Sequence, residues 1–168
     1  MTPPLLNALA TYTYIGILFM LFFPFIDSKW QKPELSLNKI TFSVQIVFIL
    51  VLITFLLNPE KWQLIVSSLL FAALPEEWFF RGYLLVRINQ VIKNPLHTNI
   101  LTSIIFSLLH LPTQGLFGIS VFFPSLVFGW LYLKTNNIFL VISVHALSNI
   151  LFFLYFKNVM ILIENQVP

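Results

Sequence analysis

Apolar runs of membrane-spanning character follow one another along almost the whole of this chain, and only short polar connections separate them. Six can be drawn, at about 5–26, 40–57, 63–88, 98–111, 119–133 and 138–156. Hydrocarbon offers the backbone no hydrogen-bond partner, so such a run must satisfy its own N–H and C=O groups as a helix. The expected fold is therefore all-α, a polytopic integral membrane bundle of about six transmembrane helices. It is expected to form one domain over residues 1–168, with its chemistry in a core of about 63–156. Composition bears on the surface: 9% of the residues are charged, where a soluble domain carries roughly 25%, and the mean hydropathy is +0.90. Two of the runs are shorter than the roughly 20 residues of a full span, so they either extend into their flanks or enter the bilayer only part-way. Pro33, Pro59, Pro95 and Pro112 fall where helix boundaries are expected, whereas Pro24, Pro75 and Pro124 lie within apolar runs and are expected to kink them.

The formal charge of +3 reads as loop charge on a membrane protein, and no nucleic-acid partner is expected. With the N-terminus outside, the inner connections hold Lys29, Lys32, Lys39, Arg87, Lys93 and Lys134, against Lys61 and Lys157 outside. Cytoplasmic loops are the ones enriched in Lys and Arg, so the expected placement is N-out and C-out, multi-pass, in a bacterial-type inner membrane. The first run lacks a basic leading region and reads as a retained helix, not a cleaved signal. The absence of cysteine excludes disulfides and thiolate metal sites.

Against this background the ionisable residues inside apolar runs are the functional candidates, because a carboxylate at membrane depth is costly unless paired, hydrated or neutralised. Glu76 and Glu77 stand together in Leu74-Pro75-Glu76-Glu77-Trp78-Phe79-Phe80-Arg81. On a helix Glu77 and Arg81 are i and i+4 and share a face, while Glu76 is rotated by about 100° from Glu77. One division of labour has Arg81 hold Glu77 ionised while Glu76 faces a hydrated cavity as a general base; a structural ion pair at a helix crossing is the plainer alternative. His110 follows Phe106 by four residues, and His145 precedes Asn149 by four. Imidazoles in apolar helices serve packing and hydrogen bonding as well as chemistry. Set beside two carboxylates and an amide, they suggest a water-activating site with a donor for a developing negative charge. Placed from the run boundaries, with the third helix leaving the membrane near Tyr83, Glu76 and His145 lie on the order of 10 Å from the inner face and His110 roughly 18 Å. His97, in a polar connection, is expected to be an ordinary loop residue.

Glu76-Glu77-x-x-x-Arg81, then Phe106-x-x-x-His110, then His145-x-x-x-Asn149 resemble the ordered motifs of the CPBP intramembrane proteases. This is the CAAX-protease and bacteriocin-processing or Abi family, which includes the type II CAAX prenyl endopeptidases. The resemblance covers about 74–149. It implies an intramembrane endopeptidase of glutamic type acting on a membrane-associated protein or peptide. Glu76 and His110 would activate the attacking water, His145 and Asn149 would stabilise the oxyanion, and Glu77 with Arg81 would order the site. No cofactor is expected, although Glu76, His110 and His145 also have the donor chemistry of a zinc site. Some family members serve as immunity or maturation proteins, so a non-enzymatic membrane partner using the same polar cluster is the alternative reading, and a small ion or proton carrier a third. Membrane lipid and a membrane-associated substrate are the expected partners.

Overall fold

The computed structural model describes residues 3–40 and 59–156, together with positions 45, 49, 52 and 56. Among the described residues every element is helical, as expected. Along the chain these are α1 (Pro3–Phe22), α2 (Trp62–Val66), α3 (Leu74–Phe79), α4 (Val86–Ile92), α5 (Pro95–Gln114), α6 (Phe122–Thr135) and α7 (Ile138–Leu151). Wider π-helical turns occupy Ser67–Ala73, Phe80–Leu85 and Phe152–Phe156, and 3-10 turns Phe23–Ile26, Pro59–Lys61 and Gly115–Ile119. The expected run at 40–57 lies, apart from isolated positions, outside the described residues, as does Lys157. Two helical stretches are long and apolar enough to cross a membrane, Pro95–Ile119 and Ile138–Tyr155, and the apolar stretch Thr13–Ile26 is shorter. The fourth run thus extends into both flanks, from 98–111 to a helix of full spanning length.

The chain forms two compact units, residues 1–34 with 75–138 and residues 35–74 with 139–168. In the first, α5 packs on α6 along a seam of small and polar residues. Asn94 starts α5 by accepting the N–H groups of Leu96 and His97 at 3.1 Å each, with Pro95 in the first turn, where a missing N–H leaves nothing unsatisfied. His97 therefore belongs to the opening turn of α5, exposed, and not to a loop. Two prolines behave otherwise than expected. Pro112 lies inside α5, which runs on to Gln114 and ends at Gly115, whose φ of 60° favours glycine. Pro124 is the third residue of α6, in the first turn, so it removes no intrahelical bond. Pro75 follows the π-helical turn Ser67–Ala73, the kind of local adjustment that accommodates a missing donor in membrane helices.

The α5–α6 seam runs opposite to the order of a soluble protein. Asn99, Thr102, Ser103 and Ser107 are buried on α5, and Ser125 and Gly129 on α6. Leu101, Ile104, Leu108, Phe123, Val127 and Trp130 are exposed. Small residues let membrane helices approach closely and polar ones bond across them. Asn99 Nδ2 donates to the Leu126 carbonyl at 2.9 Å, and a methyl group on Gly129 would collide with Asn99 Oδ1 and lie 2.7 Å from its Cγ.

The connection after α1 closes over α4 within the same unit. Trp30 Nε1 donates to the Gly82 carbonyl at 2.7 Å, and Asp27 accepts from Arg87 at 2.6 Å and Tyr83 at 3.2 Å. The Lys29 backbone N–H, followed by the bonds from Arg87 and Tyr83, holds the Asp27 carboxyl below its ordinary range against an opposing effect of desolvation. A carboxyl depressed in the folded state stabilises the fold above its unfolded pKa, near about 3.9, and loses that contribution as pH falls through the folded value. Thermal unfolding of the wild type is therefore expected to weaken below about pH 4. The Asp27→Asn protein should lack that part of the acid dependence, and an identical acid limb in both proteins would refute the linkage.

In the second unit α7 buries Val141, Ile142, Ala146 and Ile150. Its hydroxyls turn back onto the helix, Ser143 to the Phe139 carbonyl at 2.6 Å and Ser148 to the Val144 carbonyl at 2.9 Å. Such bonds satisfy a polar group without a partner from outside the helix.

Candidate active site

The first unit brings four of the six expected residues together. Glu77 and Arg81 form the i, i+4 pair, Arg81 Nη1 to Glu77 Oε1 at 2.8 Å, with side chains 0% and 3% exposed. The other guanidinium nitrogen, Nη2, donates to both the backbone carbonyl and the hydroxyl of Ser125, each at 2.8 Å. The guanidinium also lies 5.1 Å from the ring of Phe106 and 5.6 Å from that of Phe128. A planar cation between aromatic rings, with bonds to a carboxylate and a carbonyl, is held in one orientation. Sequence reasoning missed Ser125; its signal was the small-residue spacing Ser125-x-x-x-Gly129.

Glu76 points elsewhere. Its Oε2 lies 4.0 Å from His110 Nε2, and both side chains keep slightly under a fifth of their surface exposed. His110 Nδ1 lies 2.8 Å from the Phe106 carbonyl oxygen. That oxygen has no proton to give, so Nδ1 carries a hydrogen, and Nε2 is the ring nitrogen turned towards Glu76. Phe106 thus serves both pairs, with its ring against Arg81 and its carbonyl fixing the imidazole. The gap of 4.0 Å is too long for a direct hydrogen bond, yet one small atom can touch both sides.

Register explains the meeting of Glu76 and His110, and corrects the difference in depth expected from the run boundaries. The helical backbone does not leave near Tyr83 but continues through α4 to Ile92, where Lys93 stops it with a φ of 53°. Helix α5 starts two residues later, and Glu76 and His110 lie equally far along the chain from Lys93. At about 1.5 Å per residue both are roughly 25 Å from that turn, so the hairpin sets them side by side.

A second contact fixes His110 from behind. The Gly115–Ile119 turn packs against α5, and Ser107 Oγ donates to the Gly118 carbonyl at 3.1 Å. A Cβ on Gly118 would stand 2.8 Å from the His110 carbonyl carbon and 2.9 Å from the Leu111 nitrogen. Backbone cannot yield as a flexible side chain does. Gly118→Ala is expected to cost about 1–3 kcal/mol of stability, in the range of overpacking, and to displace His110. Thermal unfolding checks the first effect, and an unchanged melting temperature would show that the turn gives way freely.

His145 and Asn149 belong to the second unit, one turn apart on α7, His145 buried and Asn149 half-buried. For the zinc alternative, Glu76 and His110 supply two donors in the first unit, where a catalytic zinc takes three protein ligands. Among the described residues no group of three or more His, Cys, Asp or Glu side chains is gathered as such a site requires.

By class, then, this is an all-helical protein with two stretches fit to cross a membrane and a polar interior carrying acids, an imidazole and a guanidinium. Residues 58–151, more than half of the chain, match the family described as type II CAAX prenyl endopeptidase Rce1-like, and the chain belongs to that family. The family is membrane-embedded and points to a CAAX-type protease, a hydrolase. The uncharacterised protein YyaK of Bacillus subtilis (strain 168) is 24% identical over 160 residues, covering 81% of this chain and 54% of YyaK. The chain therefore spans about half the length of the curated relative it matches. No solved structure matches it.

Proposed function

We propose that the protein is a multi-pass intramembrane endopeptidase that hydrolyses a peptide bond of a membrane-associated protein or peptide, with water activated by Glu76 and His110. The observation that carries this reading is the 4.0 Å approach of Glu76 Oε2 to His110 Nε2, with the imidazole proton held on Nδ1 by the Phe106 carbonyl. With the ring neutral, both facing atoms accept hydrogen bonds. A water about 2.8 Å from each would span them at an angle of about 90°, close to that between its own hydrogens. Its remaining lone pairs then face away from the pair, towards a substrate carbonyl.

The proposed step has Glu76 take a proton as the water oxygen bonds to the carbonyl carbon, so that the carbonyl oxygen becomes the oxyanion. Collapse breaks the C–N bond, and the proton passes to the leaving amine. His145 and Asn149 are assigned to the oxyanion, as donors whose bonds strengthen as its charge develops. Glu77 and Arg81 do not touch the reacting atoms in this scheme; through Phe106 and Ser125 they order the groups that do. Six spans, a bacterial-type inner membrane and a lipidated or leader-type substrate belong to the same proposal.

Cleavage is the test. The purified protein in a lipid bilayer, given peptides with lipidated C-termini and leader-type membrane peptides, should release fragments that mass spectrometry detects and that the Glu76→Gln protein does not produce. Full biological function in Glu76→Gln would replace this reading with that of an immunity or maturation partner.

A further inference from the structure

Well away from Glu76, about 20 Å further along the helical backbone, a cleft of about 370 Å³ opens in the first unit between the connection after α1, a half-buried side of α4 and the end of α6. On the membrane reading of the chain it falls at a bilayer boundary, because the two stretches fit to cross a membrane begin at Pro95 and Ile138, each within a few residues of the cleft residues Gln90 and Asn136. Five cations, Lys29, Lys32, Arg87, Lys93 and Lys134, stand on the segments around it, against the acids Asp27 and Glu34.

The polar groups of the cleft are oriented. Asn89 Oδ1 accepts from the Thr98 hydroxyl at 3.3 Å, and Gln90 Oε1 accepts from Arg87 Nη1. With both amide oxygens engaged, the amide nitrogens are the groups left to meet a ligand, and among the described residues no acceptor meets them. Lys32 adds an ammonium, lying 5.5 Å from the ring of Phe25, and Glu34 is the carboxylate of the lining. Val91 and Leu96, on the adjoining turns, are exposed apolar residues that acyl chains can cover.

Three nitrogen donors beside one carboxylate, at the level of lipid headgroups, match a ligand that carries both an anion rich in acceptors and a cation. We infer that this cleft binds a zwitterionic phosphodiester headgroup of the phosphatidylethanolamine type. Its phosphate oxygens accept from Lys32 Nζ, Asn89 Nδ2 and Gln90 Nε2, and its ammonium meets Glu34. The inference rests on the membrane reading of the chain and not on the peptidase reading, so an inactive protein would leave it intact.

The full chain, purified in detergent and stripped of lipid, is offered dioleoyl phosphatidylethanolamine, phosphatidylglycerol and phosphatidylcholine, and the retained lipid is read by native mass spectrometry. The wild type should retain phosphatidylethanolamine over the other two. Lys32→Gln should weaken that retention about tenfold or more, as expected for loss of a charged hydrogen bond. Glu34→Gln should remove the preference over phosphatidylglycerol. Both residues are exposed, and circular dichroism checks that each variant keeps the wild-type fold. Equal retention of the three lipids by the wild type, or undiminished retention by Lys32→Gln, would overturn the assignment. So would soluble glycerophosphoethanolamine binding as tightly as the lipid, or displacement of the lipid by a peptide ending in a free carboxylate, which would make the cleft a peptide site.

Discussion

Glu76→Gln is expected to lower peptide cleavage by about 10²–10⁴-fold, the usual worth of a general base, while substrate binding survives. The amide keeps the shape of the side chain and one acceptor oxygen, but it cannot take a proton from water. Glu76 is partly exposed, and the buried hydrogen-bonded pair with Arg81 is made by Glu77, so the fold should tolerate the change. The variant then separates chemistry from structure: its melting temperature stays near that of the wild type while turnover falls. Removing divalent metals is expected to leave the wild type active, because the Glu76–His110 arrangement needs no metal to polarise the water. Activity lost to a strong chelator and restored by zinc would move water activation onto a metal and leave the reaction class standing. A Glu76→Gln protein that cleaves at the wild-type rate would remove Glu76 from the mechanism.

Among the described residues the apolar runs are helical, as hydrocarbon would require of them, and the sixth run, at 138–156, reappears as α7 with the π-helical turn after it. The Glu77–Arg81 pair was equally legible, since an i, i+4 spacing defines a contact without knowledge of any other helix. The meeting of Glu76 with His110 was legible only as a resemblance. It depends on where one helix stops, and that is set by the left-handed backbone of Lys93 and the cap at Asn94, to which an apolarity profile is blind. Proline was read too simply at 112 and 124, because its effect depends on its position within a helix and not on its presence. The small residues were missed for a related reason. Gly118 and Gly129 act by allowing a close approach from another element and Ser125 by accepting from Arg81, and a single sequence shows the small side chain without the neighbour it meets.

Glu77→Ala should be the most destabilising single change at the site. It leaves the guanidinium of Arg81 buried beside Phe106 and Phe128 with its bonds to Ser125 but without its carboxylate. Breaking a buried pair by removing one partner typically costs about 3–5 kcal/mol, most of it the penalty of an uncompensated charge. The same physics predicts that replacing the whole pair with apolar residues is far milder, because the cost of desolvating two ions disappears together with their attraction. Glu77→Leu combined with Arg81→Met should therefore recover most of the stability lost in Glu77→Ala. It should not recover cleavage, since Arg81 no longer bridges Ser125 and the ring of Phe106, whose carbonyl fixes His110. Thermal unfolding in detergent and cleavage rates measured on the same preparations give both readouts. A double variant that is both stable and active would reduce the pair to a helix-packing device, and a Glu77→Ala protein as stable as the wild type would mean that Arg81 finds its compensation elsewhere.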